Sequence, residues 1–545
     1  MSNLPFFDCN CLIGTRGVRH RTSPETLDDY LRDFAYYDIQ AALVHHAYAV
    51  EYSQDYGNRK LLKEIAELPE IADYPQLLPE WVVIPHWAGE MAPPDELVAE
   101  MLSLNVRAAR IMPGAHGFPL GKDVSGPLLS ALQEARIPVF ADVAQVSLDA
   151  AIALAQEYPE LPLVLCGVSW ASDRTIFACF DKVPNLHLET WAFQGHRHYE
   201  RFVNAFGSER LLFGTDLPHR SPGAARMMTC YEQISEQDRR NIAGENLRRL
   251  LLGVRGAQGP VPELKPAPEH ADDDPIVAKV RAGVPLHDEF ILDAHAHLAH
   301  KGCMGVNQCA LAYNDPDGLV GSMDRIGVDL ACASSWSGIT YAAPDANDMD
   351  LLGVEQHPGR LLAYGCLNPN YPAMYDAEFE RLFLGGKVIG YKPYPPRQMV
   401  PITDPRHERA LQWCEEHAAP VLMHAGPPDH AAELAPKYPH AKFLIAHAGS
   451  SWDVAEKTAA AAKRFANIYA EITYTAILYG FIEFFVSEVG AQQLLFGSDC
   501  VMRDIAPQLG WVAWARIPLP DKRRVLGQNM ADILGMTDCE PRSGR

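Results

Sequence analysis

The sequence predicts an α/β protein made of two eight-stranded TIM-like β/α barrels in tandem, joined by a proline-rich linker. Three observations lead there: a length of 545 residues, a set of landmarks that occurs twice in the same order, and an alternation of short apolar runs with helical patterns. Length alone is ambiguous. At roughly 100–200 residues per domain three medium domains would fit, yet barrels of roughly 250 residues make two large ones equally acceptable.

The linker comes first, because it divides the chain. Residues 256–275, GAQGPVPELKPAPEHADDDP, contain five prolines, three consecutive aspartates and no apolar periodicity. The expected division is a first barrel over 1–255, a linker over 256–285 and a second barrel over 286–540. Across it FFDC at Asp8 matches FILDAH at Asp293, ALQEARIPVFAD at Asp142 matches ALQWCEEHAAPVLMH at His424, and RLLFGTD at Asp216 matches QLLFGSD at Asp499. Spacing agrees too: 208 positions separate Asp8 from Asp216, and 206 separate Asp293 from Asp499. Both closing aspartates are followed 30 residues later by an asparagine, Asn246 or Asn529, that opens a short amphipathic helix. Such register implies a tandem duplication.

Within the second half the strand candidates are FILDAH, VDLACAS, LLAYGCLN, KVIGYK, PVLMH, KFLIAH, IYAEIT and QLLFGSD. They are mostly continuous apolar runs, as expected of a parallel sheet covered on both faces. Between them DPRHERALQWCEEH and WDVAEKTAAAAKRF have helical period, with Asp or Ser near their starts. The first half reads similarly but less regularly.

Composition narrows the class of partner. With 47 basic against 69 acidic residues the formal charge is −22, which repels phosphate backbones and anionic lipid surfaces. No apolar run reaches the roughly 18 residues of a membrane span, and MSNLPFFDCN has neither the basic nor the apolar part of a signal peptide. A cytoplasmic protein with a small-molecule substrate, and without nucleic acid or membrane partners, is expected. The 12 cysteines show no CxxC pair and lie mostly in apolar segments, so reduced, buried thiols are expected.

The chemistry concentrates in the second half. His295 and His297 end an apolar strand, where alternate positions share a face, so both rings can point into a barrel mouth. The other such pair, His196 and His198 in GHRHY, lies in a polar stretch and reads as solvated loop residues. His424, His447 and Asp499 also stand at the ends of buried strands, and in a β/α barrel those ends form the active-site face. Imidazoles and a carboxylate around one point suit zinc or a similar divalent metal. His295, His297, His424 and Asp499 are the expected ligands.

DAHAHL on the first strand, histidines ending strands five and six, and FGSD on strand eight resemble the amidohydrolase superfamily. More narrowly they resemble its amidohydrolase-related branch of metal-dependent hydrolases and nonoxidative decarboxylases similar to aminocarboxymuconate semialdehyde decarboxylase. The resemblance covers residues 290 to about 536, and more weakly 6 to about 253. It implies one divalent metal, zinc with manganese or iron as alternatives. It also implies Asp499 as the group that takes a proton from bound water, and His447 beside that water or the substrate. Lys392, on strand four, holds the place of a bridging carboxylated lysine in binuclear relatives; here it reads as a lysine that binds a substrate carboxylate or as a structural partner. Where relatives continue after the last aspartate with proline, this chain has SDCVMRD, so Arg503 lies near the mouth, as an anion-binding or a surface arginine. Trp336, Tyr341, Tyr394, Trp452 and Tyr474 flank strand ends and hint at a planar substrate, although core packing explains each of them as well.

In the first half Asn10 and Leu12 take the places of His295 and His297, Asp142 that of His424, Arg110 that of Lys392, and Leu165 or Cys166 that of His447. Only Asp216 remains. A noncatalytic barrel is expected, packed on the second as in a fused dimer, with further oligomerisation open; Asp8, Asn10, Asp142 and Asp216 would otherwise suit a hard cation. The functional expectation is a metal-dependent hydrolase of a small amide, ester or lactone, acting through metal-bound hydroxide. The alternatives are a metal-dependent nonoxidative decarboxylase of a small, aromatic or other carboxylate, and a scaffold in which both barrels are inactive.

Overall fold

The computed structural model describes residues 4–18, 23–69, 75–266, 270–271, 273–300, 310–340, 342–424 and 428–542. The chain divides into two compact units. One comprises Met1–Ala225 and Glu232–Ala271; the other comprises Arg226–Tyr231, Asp272–Gly305 and Ala310–Arg545.

In the first unit eight parallel strands follow one another in chain order: β1 (Phe6–Ile13), β2 (Ile39–His46), β3 (Gln76–Val82), β4 (Ala108–Arg110), β5 (Val139–Asp142), β6 (Leu163–Cys166), β7 (Leu186–Glu189) and β8 (Leu211–Leu212). The Cys9 amide donates to the Phe213 carbonyl at 3.0 Å and the Leu12 amide to that of Leu217 at 2.9 Å, which closes the sheet on itself.

The second unit repeats the plan with β9 (Leu292–Leu298), β10 (Leu330–Ser335), β11 (Leu361–Ala363), β12 (Pro420–Met423), β13 (Lys442–Ile445), β14 (Ile468–Glu471) and β15 (Leu494–Leu495). These form a three-stranded and a four-stranded parallel sheet. KVIGYK, expected as a full strand between them, is reduced to single bridges from Tyr391 to Gly365 and Val421. Its backbone nevertheless pairs on both sides: the Ile389 and Lys392 amides donate to the Ala363 and Gly365 carbonyls at 2.9 and 3.0 Å, and the Tyr391 amide to that of Pro420 at 2.9 Å, so the segment joins the two sheets.

Matched contacts show why the landmarks recur. Asn246 Nδ2 donates to the Ser208 and Leu211 carbonyls at 2.7 and 2.8 Å, and Asn529 Nδ2 to those of Ala491 and Leu494 at 2.6 and 2.8 Å. Each asparagine follows a wide π turn, at Asn241–Glu245 or Arg524–Gln528, and ties the last helix to the last strand. That helix plugs the barrel end: Leu247 and Leu251 pack with Phe7, Phe140 and Val164, while Met530 and Ala531 pack with Leu292, Leu422 and Leu444. Helix Trp452–Arg464 forms as its sequence implies, with Ser451 capping the Val454 amide at 3.3 Å and small buried residues, Ala455, Ala459 and Ala462, facing inward.

The proline-rich segment packs rather than tethers. Val261 enters the core of the first unit, and Gln40 exchanges two hydrogen bonds with the Lys265 backbone at 2.6 and 2.9 Å. Farther on, Asp274 caps a helix, Pro275–Arg281, whose Ile276, Val277 and Val280 are buried in the second unit. Among the described residues every cysteine is a free thiol, and no helix is long and apolar enough to cross a membrane.

One expectation is overturned outright. His196 and His198 are buried, and His198 begins the helix His198–Phe206, stacks on Phe193 at 3.6 Å and holds Asp173 Oδ1 at 2.6 Å. The polar letters of GHRHY belong to an internal hydrogen-bonded clamp, because a buried carboxylate such as Asp173 requires donors.

Candidate metal centre

The ends of β9 and β15 bring three donors to one point: the ligand atoms of His295, His297 and Asp499 all lie within 4.8 Å of one another, and all three residues are buried. Their partners fix which ring nitrogen is bare. His297 Nδ1 donates to the Ser334 carbonyl at 2.8 Å, and His295 Nδ1 to Glu471 Oε2 at 2.9 Å. Both Nε2 lone pairs are therefore turned inward. His297 Nε2 stands 2.9 Å from Asp499 Oδ1, and neither buried atom has a hydrogen-bond partner. Two acceptors facing each other out of water fit a cation held between them. A built-in cation supports this reading, since Lys392 Nζ sits 2.9 Å from His295 Nε2.

His424 stands outside this trio, its ring 6.4 Å from that of His295 and 4.7 Å from that of His447. His447 Nδ1 donates to the Thr473 carbonyl at 2.6 Å, so its Nε2 can accept from His424 Nδ1 at 3.3 Å. That leaves His424 Nε2 without a proton. Backbone conformation aims two of these groups: His447 and Asp499 have φ of 62° and 61°, left-handed values that cost a non-glycine residue about 1–3 kcal/mol.

Around the donors, Arg503 pairs with Asp499 Oδ2 and donates from Nε to Thr475 Oγ1 at 2.6 Å. Trp336 meets the rings of His297 and His424 at 5.0 and 6.4 Å, and Tyr394 meets His424 at 4.2 Å. Tyr474 lies 5.7 Å from His447 and under the Arg503 guanidinium at 5.5 Å. Trp452 instead packs on Phe484, and Tyr341 lies outside the described residues.

Burial dominates the electrostatics. It pulls His297 and His447 down to about 3, with nearby cationic groups adding to the effect, and it holds His295 and His424 well below the usual imidazole value. All four rings are thus neutral at ordinary pH. Burial also draws the Lys392 ammonium down, opposed by Glu471.

Strand register locates the counterparts in the first unit. Pairing of β5 with β6 and of β12 with β13 aligns His447 with Gly167, not with Leu165 or Cys166; Gly167 also has positive φ, 76°. Leu12, buried in β1, offers no ligand atom at the His297 position. The four oxygen-bearing residues each have partners of their own. Asp8 spends its oxygens on the Asn10 and Thr215 amides at 3.0 and 3.1 Å and on Thr215 Oγ1 at 2.5 Å, just as Asp293 ties His295 to Ser498. Asn10 Oδ1 accepts from Arg110 Nη2 at 3.0 Å, Asp142 Oδ1 from the Ala144 amide at 2.7 Å, and Asp216 Oδ2 lies 3.6 Å from Arg220 Nε. Where the second unit gathers lone pairs, the first holds a guanidinium: Arg110 Nε donates to Glu80 Oε2 at 2.7 Å, with His45 Nδ1 3.0 Å from the same oxygen.

The family model described as Amidohydrolase matches residues 69–252 and again residues 293–536. The chain belongs to the amidohydrolase family. It is an enzyme of that family, duplicated within one chain, and the family implies small-molecule substrates. No curated protein matches its sequence. Among solved structures it is similar to 2,6-dihydroxybenzoate decarboxylase from Rhizobium, with 15% identity, a TM-score of 0.39, and 45% of this chain and 99% of that one covered. 5-Carboxyvanillate decarboxylase from Sphingomonas paucimobilis shares 18% identity at a TM-score of 0.33, covering 40% and 82%. 4-Oxalomesaconate hydratase from Rhodopseudomonas palustris shares 14% at 0.34, covering 45% and 95%.

Glu471 is the site residue that sequence reading passed over. Its signal was present: a carboxylate inside the apolar run IYAEIT, repeated as Glu189 in LHLET. A charge buried in a strand without a partner is costly, so such a residue announces one.

Proposed function

We propose that the second unit of this amidohydrolase is a metal-dependent lyase that removes carbon dioxide from a small planar carboxylate, with the first unit noncatalytic. One divalent ion would be held by His295, His297, His424 and Asp499. The imidazole-rich donor set favours zinc, with manganese or iron as alternatives. When bound, such an ion supplies Lewis-acid stabilisation of negative charge on substrate oxygens.

The pairing of Asp499 Oδ2 with Arg503 carries the choice of reaction. With Oδ1 turned to the histidines and Oδ2 held by a guanidinium, Asp499 serves as a ligand and has no oxygen turned toward an attacking water. Decarboxylation does not need that base: the bond from carbon to the carboxylate breaks, carbon dioxide leaves, and the carbon takes up one proton from solvent. Trp336 and Tyr394 supply flat walls beside His424, which suit a planar ring and exclude water. His447, neutral through burial, is the nearest imidazole to pass the proton.

Hydrolysis of an amide, ester or lactone is the second reading, favoured by the closeness of Asp499 to both histidines. Panels of aromatic carboxylates, lactones and amides, followed for both carbon dioxide and acid release, separate the two. Carbon dioxide without released acid supports the lyase. Acid without carbon dioxide overturns it in favour of the hydrolase.

A further inference from the structure

We infer that Glu471 is a positioning residue for the metal, and that Gly497 is what permits it to be one. The inference rests on the metal-dependent reading above and concerns a residue outside the expected ligand set. Glu471 ends β14 and is fully buried, and its two oxygens are divided between two tasks. Oε1 accepts from the Thr473 amide at 2.7 Å and from Thr473 Oγ1, while Oε2 accepts from His295 Nδ1 at 2.9 Å. Thr473 thus anchors the carboxyl group, and the anchored group dictates that the His295 proton sits on Nδ1. Nε2 is left without a proton, facing Lys392 Nζ at 2.9 Å and Asp499 Oδ1 at 3.6 Å.

Room for this arrangement comes from β15. A Cβ at Gly497 would collide with Glu471 Oε1 and would stand 2.8 Å from its Cδ and from Thr473 Oγ1. The glycine of FGSD therefore serves the glutamate on the neighbouring strand. The first unit supplies an internal control. Gly214 bears the same relation to Glu189, where a Cβ would stand 2.6 Å from Glu189 Cδ, but Asn10 replaces the imidazole. Glu189 there accepts from the Trp191 and Gly167 amides at 2.6 and 3.4 Å and orients no ligand.

The test measures metal affinity of the full chain by chelator competition with zinc, together with ¹⁵N chemical shifts of the histidine rings. In Glu471→Gln volume is kept, but the amide offers an acceptor to only one of the two sides that need one. Roughly 10–100-fold weaker zinc binding is expected, the usual range for losing such an outer partner, with a mixed His295 tautomer. Gly497→Ala should weaken binding in the same range, whereas Gly214→Ala should leave it within about twofold of wild type. Wild-type zinc affinity in both Glu471→Gln and Gly497→Ala would overturn the inference, as would equal losses in Gly497→Ala and Gly214→Ala, which would mark a role in folding alone. A wild-type chain that takes up no zinc, manganese or iron would overturn the metal reading itself, and this inference with it.

Discussion

Arg110 Nη2 donates to Asn10 Oδ1 at 3.0 Å inside the first unit, at the position where Lys392 Nζ meets His295 Nε2 at 2.9 Å in the second. Strand pairing places Ala109 beside Val139 as it places Tyr391 beside Val421, and Arg110 and Lys392 are the next residues, so the two basic side chains are structural equivalents. In the first unit the cation is permanent. Its guanidinium is held by Glu80, to which Arg110 Nε donates at 2.7 Å.

Removing that guanidinium leaves Glu80 buried with His45 as its remaining side-chain partner. Arg110→Met is expected to destabilise the first unit by about 3–5 kcal/mol, and adding Glu80→Gln should recover much of the loss. Denaturant titrations of the single and double variants check this; equal stabilities of Arg110→Met and wild type would contradict the pairing argument.

Metal content should be near one divalent ion per chain rather than two, because the described donors converge only at His295, His297 and Asp499. His297→Ala should abolish uptake, as read by elemental analysis of dialysed protein. Chelation should lower the melting temperature of the wild type but not of the variant; an ion present at 100 times its dissociation constant contributes about 2.7 kcal/mol.

Asn246 and Asn529 make the same two hydrogen bonds to backbone carbonyls in their own units. Truncating either to Ala removes a donor from two carbonyls and should cost about 2–6 kcal/mol, at roughly 1–3 kcal/mol for each carbonyl. Thermal unfolding of the two variants should show similar losses. A silent Asn529→Ala would mean that the closing helix is held by apolar packing alone.

His187 provides a pH test away from the metal centre. Burial lowers its value from 6.5 to about 4. The unfolded chain therefore binds a proton between those values that the folded chain refuses, so the stability due to the neutral ring is complete above pH 6.5 and is lost as pH falls toward 4. At about 1.4 kcal/mol per unit this approaches about 3 kcal/mol. Relative to wild type, His187→Leu should gain by that order between pH 7 and pH 4 in denaturant titrations at the two pH values. A constant difference would show that the ring is charged in the folded state.

Several features were legible because they depend on local pattern. Repeated words such as LLFGTD and LLFGSD, their spacing, and histidines at the ends of apolar runs depend only on strand geometry and on which strand end faces the site. The segment KVIGYK reads as a strand from its apolar letters, and its backbone pairs with both neighbours around Tyr391. His196 and His198 were misread because polarity of neighbours stands in for exposure only when no buried carboxylate, here Asp173, draws the ring inward. Gly167, the counterpart of His447, became visible only through strand register.

By itself, then, the sequence determined the duplication, the β/α character of both halves and the residue types able to bind a metal, since each follows from periodicity, spacing or side-chain chemistry. Tertiary structure alone decided which nitrogen of each histidine faces the site, that Glu471 meets His295 Nδ1, and that Asp8 ties β1 to Thr215 after the last strand. The reason is physical: tautomer, pairing and desolvation are properties of what touches a group in space, and those partners lie up to about two hundred residues away along the chain, as Asp293 and Ser498 do.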